Sequence, residues 1–384
     1  MKIVKELLKY IFVFVILILV YWLSLFITSL IPSSAIKENV TKSSESIVVL
    51  GEVGEKKFYD LGYKTEGTFI FTDALMVNTA YSIDSSNPIE SMLLARRSYI
   101  PGQTTTVYKE SKDVVSAPMY RYSGGSFQTK ELYGLMHNDG NTVGFEYPRY
   151  WHGYLVFLRP LLVLFDYDAI SMITCVSFAI LAIALSIILG KKVNWITGFI
   201  FLASFILMNL YIVATCLNEI TTYYVAVVAS IIIALAYQKL KKHMGIVFFI
   251  VGSFTSFVDL FTTPLITLGI PLLVYFLLKQ KNEETSGKKQ VLELIKLSVL
   301  WGIGYGLTWF AKWAIVDIIY QRGIIKDAIE QILFRTVSTN NDPLLTDTQL
   351  QKQYIAYYLG DYLDKALLAI IVVFIVIAII KNRK

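Results

Sequence analysis

The stretch EYPRYWHGYLVFLRP, Glu146 to Pro160, gathers a carboxylate, an imidazole, two guanidiniums and several aromatic rings beside a strongly apolar half of the chain. A guanidinium grips phosphate or carboxylate with two parallel hydrogen bonds, and an imidazole moves a proton or binds a metal near neutral pH. Arg149 and His152 are three residues apart, so on a helix they would share one face. Arg159 lies inside the apolar part of the same stretch. Elsewhere, Asp73 in TDALMVN stands directly before a helical pattern, where a carboxylate either caps the helix or takes a proton from a hydroxyl. Asp259 interrupts SFVDLFTTPLITLGIP, and Lys312 sits between Trp309 and Trp313 in WFAKWAIVD. Asp73 and Glu146 are the candidate catalytic carboxylates. Arg149, His152, Arg159, Asp259 and Lys312 are the candidate substrate-binding groups, and the spacing assigns no metal ligands.

Each of these residues also has a structural use. Glu146 and Arg149 could pair, Asp259 could cap a hairpin with Thr262 and Thr263, and Lys312 could snorkel from a helix end. HNDG, His137 to Gly140, reads as turn chemistry. Asn218 and Glu219 in NEITTYY read as a solvated turn.

The elements that must position these groups are membrane helices. Hydrophobic residues make up 55% of the chain and charged ones only 17%, and several apolar runs approach the length needed to cross a bilayer. The basic start MKIVKELLKY precedes an apolar run from Ile11 to Ile31, longer than a signal-peptide core, so it reads as a retained helix. Further spans are expected at Asp168–Gly190, Trp195–Thr215, Tyr223–Tyr237, Gly245–Val258, Pro264–Leu278, Leu297–Val316 and Ala366–Ile380. The fold class is thus a polytopic α-helical membrane protein of about eight spans. Residues 33–150 form a mixed α/β first loop domain, with a strand and turn at ESIVVLGEV and short helices at TDALMVNTAYSI and PIESMLLARRS. Residues 151–167 are too short to cross and read as an interfacial helix, its aromatic residues in the headgroup belt. Residues 1–32, 168–316 and 366–384 hold the spans, and 317–365 form a second outer loop.

The net charge of +6 matters less than its placement. KK, KLKK, KQKNEETSGKK and KNRK fall with the N-terminus on one side of an eight-span chain, the cytoplasmic side by the positive-inside bias. Both termini are then cytoplasmic and both polar loops face outward, and the Lys- and Ile-rich composition points to a bacterial plasma membrane. Basic residues at the ends of apolar runs are no nucleic-acid surface. No nucleotide-binding loop, zinc-protease motif or nucleophile elbow occurs. Cys175 and Cys216 lie in predicted spans and read as packed thiols.

A long first outer loop carrying an Asp, an interfacial helix after it, and Arg, His and Lys at the outer surface resemble the GT-C superfamily of integral-membrane glycosyltransferases. TDALMVN with Asp73 and YPRYWHGY with Arg149 and His152 carry the resemblance. It implies a polyprenyl-phosphate-linked sugar as co-substrate, a glycan or other envelope acceptor, and room for a divalent cation at Asp73 or Glu146. It further implies that Asp73 deprotonates the acceptor while Arg149, Lys312 and His152 steady the leaving phosphate. In this chain Asp73 lies farther from the first span than that superfamily's acidic residue does. The other classes are a non-catalytic membrane protein that binds lipid-linked precursors or scaffolds envelope assembly, and a flippase or transporter of lipid-linked sugars.

Overall fold

The computed structural model describes residues 2–59, 68–100, 127–138, 140–207, 213, 216–283 and 286–336. The expected last span, Ala366–Ile380, and most of the second outer loop lie outside the described residues. The chain divides into two units, 1–325 and 326–384; the following description concerns the first.

It is helical almost throughout. Among the described residues, four helices are long and apolar enough to cross a membrane: Val4–Ser29, Tyr167–Lys192, Leu217–Leu240 and Gly287–Tyr320. Leu155–Leu164, Trp195–Leu207 and Met244–Val258 are apolar but shorter. At 1.5 Å per residue, a helix the length of Met244–Val258 covers about 22 Å, less than a hydrocarbon core of about 30 Å. A helical membrane protein therefore follows from the structure, while the expected number of spans does not.

Helix α1 (Lys2–Ser29) ends before Pro32, and α2 (Ser33–Tyr59) follows. The expected strand at Glu45–Val53 is part of α2: the β-branched run Ile47–Val49 continues a helix whose residues Ile36, Val40, Ser43, Ser44 and Ile47 are buried. A face repeating at three and four residues outweighs a short local β preference. Next come α3 (Thr68–Tyr81), α4 (Pro88–Leu94), β1 (Arg97–Tyr99), α5 (Phe127–His137) and β2 (Val143–Phe145). The two strands pair antiparallel, Arg97 opposite Phe145 and Tyr99 opposite Val143. The Asn78 side chain clamps β1 to α3 by donating to the Ser98 carbonyl and accepting from the Ser98 N–H, both at 2.9 Å.

After a turn at Trp151–Tyr154 the chain forms α6 (Leu155–Leu164), α7 (Tyr167–Lys192) and α8 (Trp195–Leu207). The remaining helices are α9 (Leu217–Leu240), α10 (Met244–Val258), α11 (Ile266–Asn282), α12 (Gly287–Tyr320) and α13 (Ile324–Thr336). Helices α9 and α11 run side by side, joined by Thr222–Thr263 hydroxyls at 2.7 Å near one end and by Tyr237 against Tyr275 near the other. Helices α10 and α12 pack closest. A Cβ at Gly252 would overlap the Trp301 carbonyl, and one at Gly304 the Phe249 carbonyl. Nothing larger than glycine fits at either place.

Candidate functional site

The charged residues singled out in the sequence divide into two groups. Three of them are spent on helix ends. Asp73 lies inside α3, which begins five residues earlier than the sequence pattern suggested, so it is not the cap of its own helix. Its buried carboxylate instead receives the Leu217 and Asn218 backbone N–H groups at 2.9 and 3.1 Å and the Tyr167 hydroxyl at 2.8 Å. It caps the N-terminus of α9 from another helix, where unpaired N–H groups and the macrodipole favour an anion. Burial pushes its pKa up to about 6, against the opposing effect of those hydrogen bonds.

Arg159 is the positive counterpart. It is fully buried on α6 and donates to the carbonyls of Thr28 (3.3 Å) and Ile31 at the end of α1 and of Ala80 in the last turn of α3. Lys312, also fully buried, donates to the carbonyls of Met92 (3.2 Å) and Leu93 (2.8 Å) at the end of α4, and its ammonium stands over the Trp151 ring. C-terminal carbonyls attract cations for the same reason that N-termini attract anions.

His152 has a left-handed backbone (φ 57°) in the turn before α6. It therefore shares no helical face with Arg149, contrary to the spacing argument. One ring nitrogen bonds the Tyr147 carbonyl at 2.8 Å, so that nitrogen carries the proton, and the other is 3.1 Å from the Tyr154 hydroxyl. Burial lowers its pKa to about 3, which keeps the ring neutral at physiological pH. One oxygen of Glu146 accepts from Arg96 at 3.1 Å and from Arg322 at 3.0 Å, and Arg96 also bonds Glu90. Arg149 lies over the Tyr147 ring, and its carbonyl accepts the Trp313 indole N–H at 2.9 Å. His137 ends α5 and bonds Glu45 on α2 at 3.1 Å.

The second group is built differently. Asp259 ends α10 and is buried; one oxygen receives the Thr262 N–H and hydroxyl at 3.0 and 2.8 Å, the hairpin cap expected from the sequence. Its other oxygen faces the Tyr305 hydroxyl at 3.5 Å. Burial raises its pKa above the ordinary carboxylate value. The adjacent Thr263 donates to Glu219 at 3.2 Å. Glu219 is not in a solvated turn but in the first turn of α9, beside the buried Asn218. Among the described residues, neither carboxylate has a cationic partner.

This pair adjoins an aromatic ladder that the sequence reading passed over. Trp301, Tyr305, Trp309 and Trp313 recur every four residues along α12, and consecutive ring centres are 5.1, 5.4 and 5.5 Å apart. Phe261, in a left-handed conformation, and Tyr150 both lie against Trp309. The indole N–H groups of Trp301 and Trp313 are bonded; that of Trp309 is buried and finds no partner among the described residues. The spacing of four was visible in the sequence, since such residues line one helix face.

No set of three His, Cys, Asp or Glu side chains stands together to hold a metal among the described residues. A carboxylate at either Asp73 or Glu146 would therefore have to bind a divalent cation largely without protein help. Comparison of the chain with protein-family models, with curated proteins and with solved structures finds no match.

Proposed function

We propose that the protein is a membrane glycosyltransferase that moves a sugar from a polyprenyl-phosphate-linked donor to an envelope acceptor at the outer face, with Asp259 and Glu219 in place of Asp73 beside the acceptor. The supporting observation is a pair of carboxylates without a cationic partner among the described residues, one of them against Tyr305 of the aromatic ladder. A base needs a lone pair open to the hydroxyl it deprotonates. Asp73 spends its lone pairs on α9 and Tyr167; Asp259 has one oxygen only loosely held by Tyr305. Aromatic faces suit the apolar faces of a sugar ring. In the reaction, the acceptor oxygen loses its proton to the carboxylate and attacks the anomeric carbon. The bond to the phosphate oxygen breaks, and its electron pair leaves with the lipid phosphate. Arg149, whose carbonyl bonds Trp313 at the far end of the ladder, would supply the cation for that charge.

A second reading, a non-catalytic binder of lipid-linked precursors, is favoured by one feature: Asp73, Arg159 and Lys312 are all committed to helix ends. The test is sugar transfer from radiolabelled polyprenyl-phosphate sugars by the full chain in detergent. Loss of a general base costs roughly 10²–10⁴-fold, and that loss is expected in Asp259→Asn at unchanged folding. Asp73→Asn should lose activity only in step with folded protein. Donor binding without transfer by the wild type would leave the binder reading standing.

A further inference from the structure

Two carboxylates held close together in a low-dielectric region without a counter-charge repel each other, and such pairs persist where a ligand cation or a shared proton resolves the repulsion. Asp259 is buried and Glu219 half-buried, and the field of the first acts on the second. They are brought together by consecutive threonines of the α10–α11 loop, Thr262 on Asp259 and Thr263 on Glu219, and Thr262 also reaches the Asn218 carbonyl at 3.5 Å. Glu219 is within electrostatic reach of Asp259. Among the described residues neither accepts from Lys or Arg: Asp259 takes the Thr262 N–H and hydroxyl, and Glu219 the Thr263 hydroxyl. Asn218, buried in the same first turn of α9, keeps its side-chain oxygen unpartnered, so a further acceptor is available.

The surroundings decide what kind of cation fits. A hard metal ion takes six or more oxygens, and among the described residues no third His, Cys, Asp or Glu joins the pair, so waters would have to complete the shell. The rings of Tyr305, Trp309 and Phe261 stand on the Asp259 side of the pair. The face of an aromatic ring attracts a cation most when the cation is large and weakly hydrated, which is the basis of aromatic recognition of alkylammonium groups. Phe261 and Trp309 pack with centres 5.1 Å apart, and Phe261 is about half exposed, so the border is open on one side.

We propose that Asp259 and Glu219, walled by Tyr305, Trp309 and Phe261, form a receptor for an organic ammonium group. The ammonium N–H or N–CH₃ groups face the two carboxylates and the Asn218 side-chain oxygen, and the alkyl part lies on the rings. This deepens the proposed function, on which it rests for one point only: the acceptor would carry an ammonium near its reactive hydroxyl. Binding itself requires no transfer reaction.

The same chemistry could be presented by a lipid headgroup or by a free amine, and one experiment separates them. Full-length protein in detergent is titrated with choline chloride and, separately, ethanolamine hydrochloride, with sodium chloride and calcium chloride at matched ionic strength as controls, reading tryptophan fluorescence and thermal midpoint. Saturable changes with the amines alone are expected. Losing one partner of a buried charge pair weakens binding more than about thirtyfold, and that is the expected effect of Glu219→Gln, which keeps shape and hydrogen bonding. Trp309→Phe should remove most of the fluorescence response while binding by thermal midpoint persists. A headgroup source predicts that phosphatidylethanolamine nanodiscs suppress the choline response and phosphatidylglycerol nanodiscs do not; a free amine predicts equal responses in both. No saturable response in the wild type, an equal response in Glu219→Gln, or a response to calcium in place of the amines would overturn the proposal. Amine binding without sugar transfer would leave this site standing and remove the glycosyltransferase reading.

Discussion

Asp73 and Asp259 are both buried aspartates, yet their surroundings oppose each other. Asp73 is met by two backbone N–H groups at the positive end of α9 and by a tyrosine; Arg159 and Lys312 are met by carbonyls at the negative ends of three helices. Asp259 is met by the N–H and hydroxyl of Thr262 and, at 3.5 Å, by the Tyr305 hydroxyl, with a second carboxylate, Glu219, in its field. The contrast separates charge that the fold consumes from charge that the fold leaves available. Removing a consumed charge orphans backbone groups, whereas neutralising an available one relieves strain that only function explains.

That contrast can be broken by stability measurements. The largest effect should come from Arg159→Met, which leaves carbonyls of Thr28, Ile31 and Ala80 without their donor; breaking such a buried charged contact costs about 3–5 kcal/mol, seen as loss of a monodisperse peak in detergent. Asp73→Asn comes next, through pH. The folded-state pKa of about 6 exceeds the ordinary aspartate value of 3.8, so the folded state holds the proton more tightly. The resulting stability is fully present below the unfolded pKa and is lost as pH rises through the folded one. Two pKa units correspond to about 3 kcal/mol between pH 4 and 7. Wild type should therefore lose stability relative to Asp73→Asn over that window, and parallel thermal midpoints would defeat the assignment. Lys312→Met should cost about 2–3 kcal/mol, the worth of charged hydrogen bonds to Met92 and Leu93, measurable as a lower midpoint. Smallest is Glu219→Gln, expected within about 1 kcal/mol of wild type or above it. A clear loss there would place Glu219 with the consumed charges.

Much of the architecture was legible beforehand because apolar length is written in composition. The helix at Thr68–Tyr81, the Asp259–Thr262 cap and the apolar runs all follow from local pattern. The roles of Arg159, Lys312 and Asp73 were not legible, because their partners are backbone atoms, which have no residue identity, and lie far along the chain: Thr28 is 131 residues from Arg159, and Leu217 is 144 from Asp73. A backbone carbonyl attracts a guanidinium as a phosphate would, so residue type alone points equally to both. His152 misled for a different reason: a spacing of three implies a shared face only inside a helix, and its backbone lies outside one. The ladder on α12 was overlooked because Trp309 and Trp313 were read only as the neighbours of Lys312, and Trp301 and Tyr305 were not read with them.

The glycine contacts between α10 and α12 bear on the whole arrangement. With Gly252 and Gly304 each pressed against the opposite backbone, the two helices cannot slide or roll independently. Asp259 rides on the end of one and Tyr305 on the other, so the 3.5 Å between their side chains is held as if both were cut from a single block. That spacing follows a backbone-to-backbone distance, and neither residue can be carried away by the sliding of its helix alone.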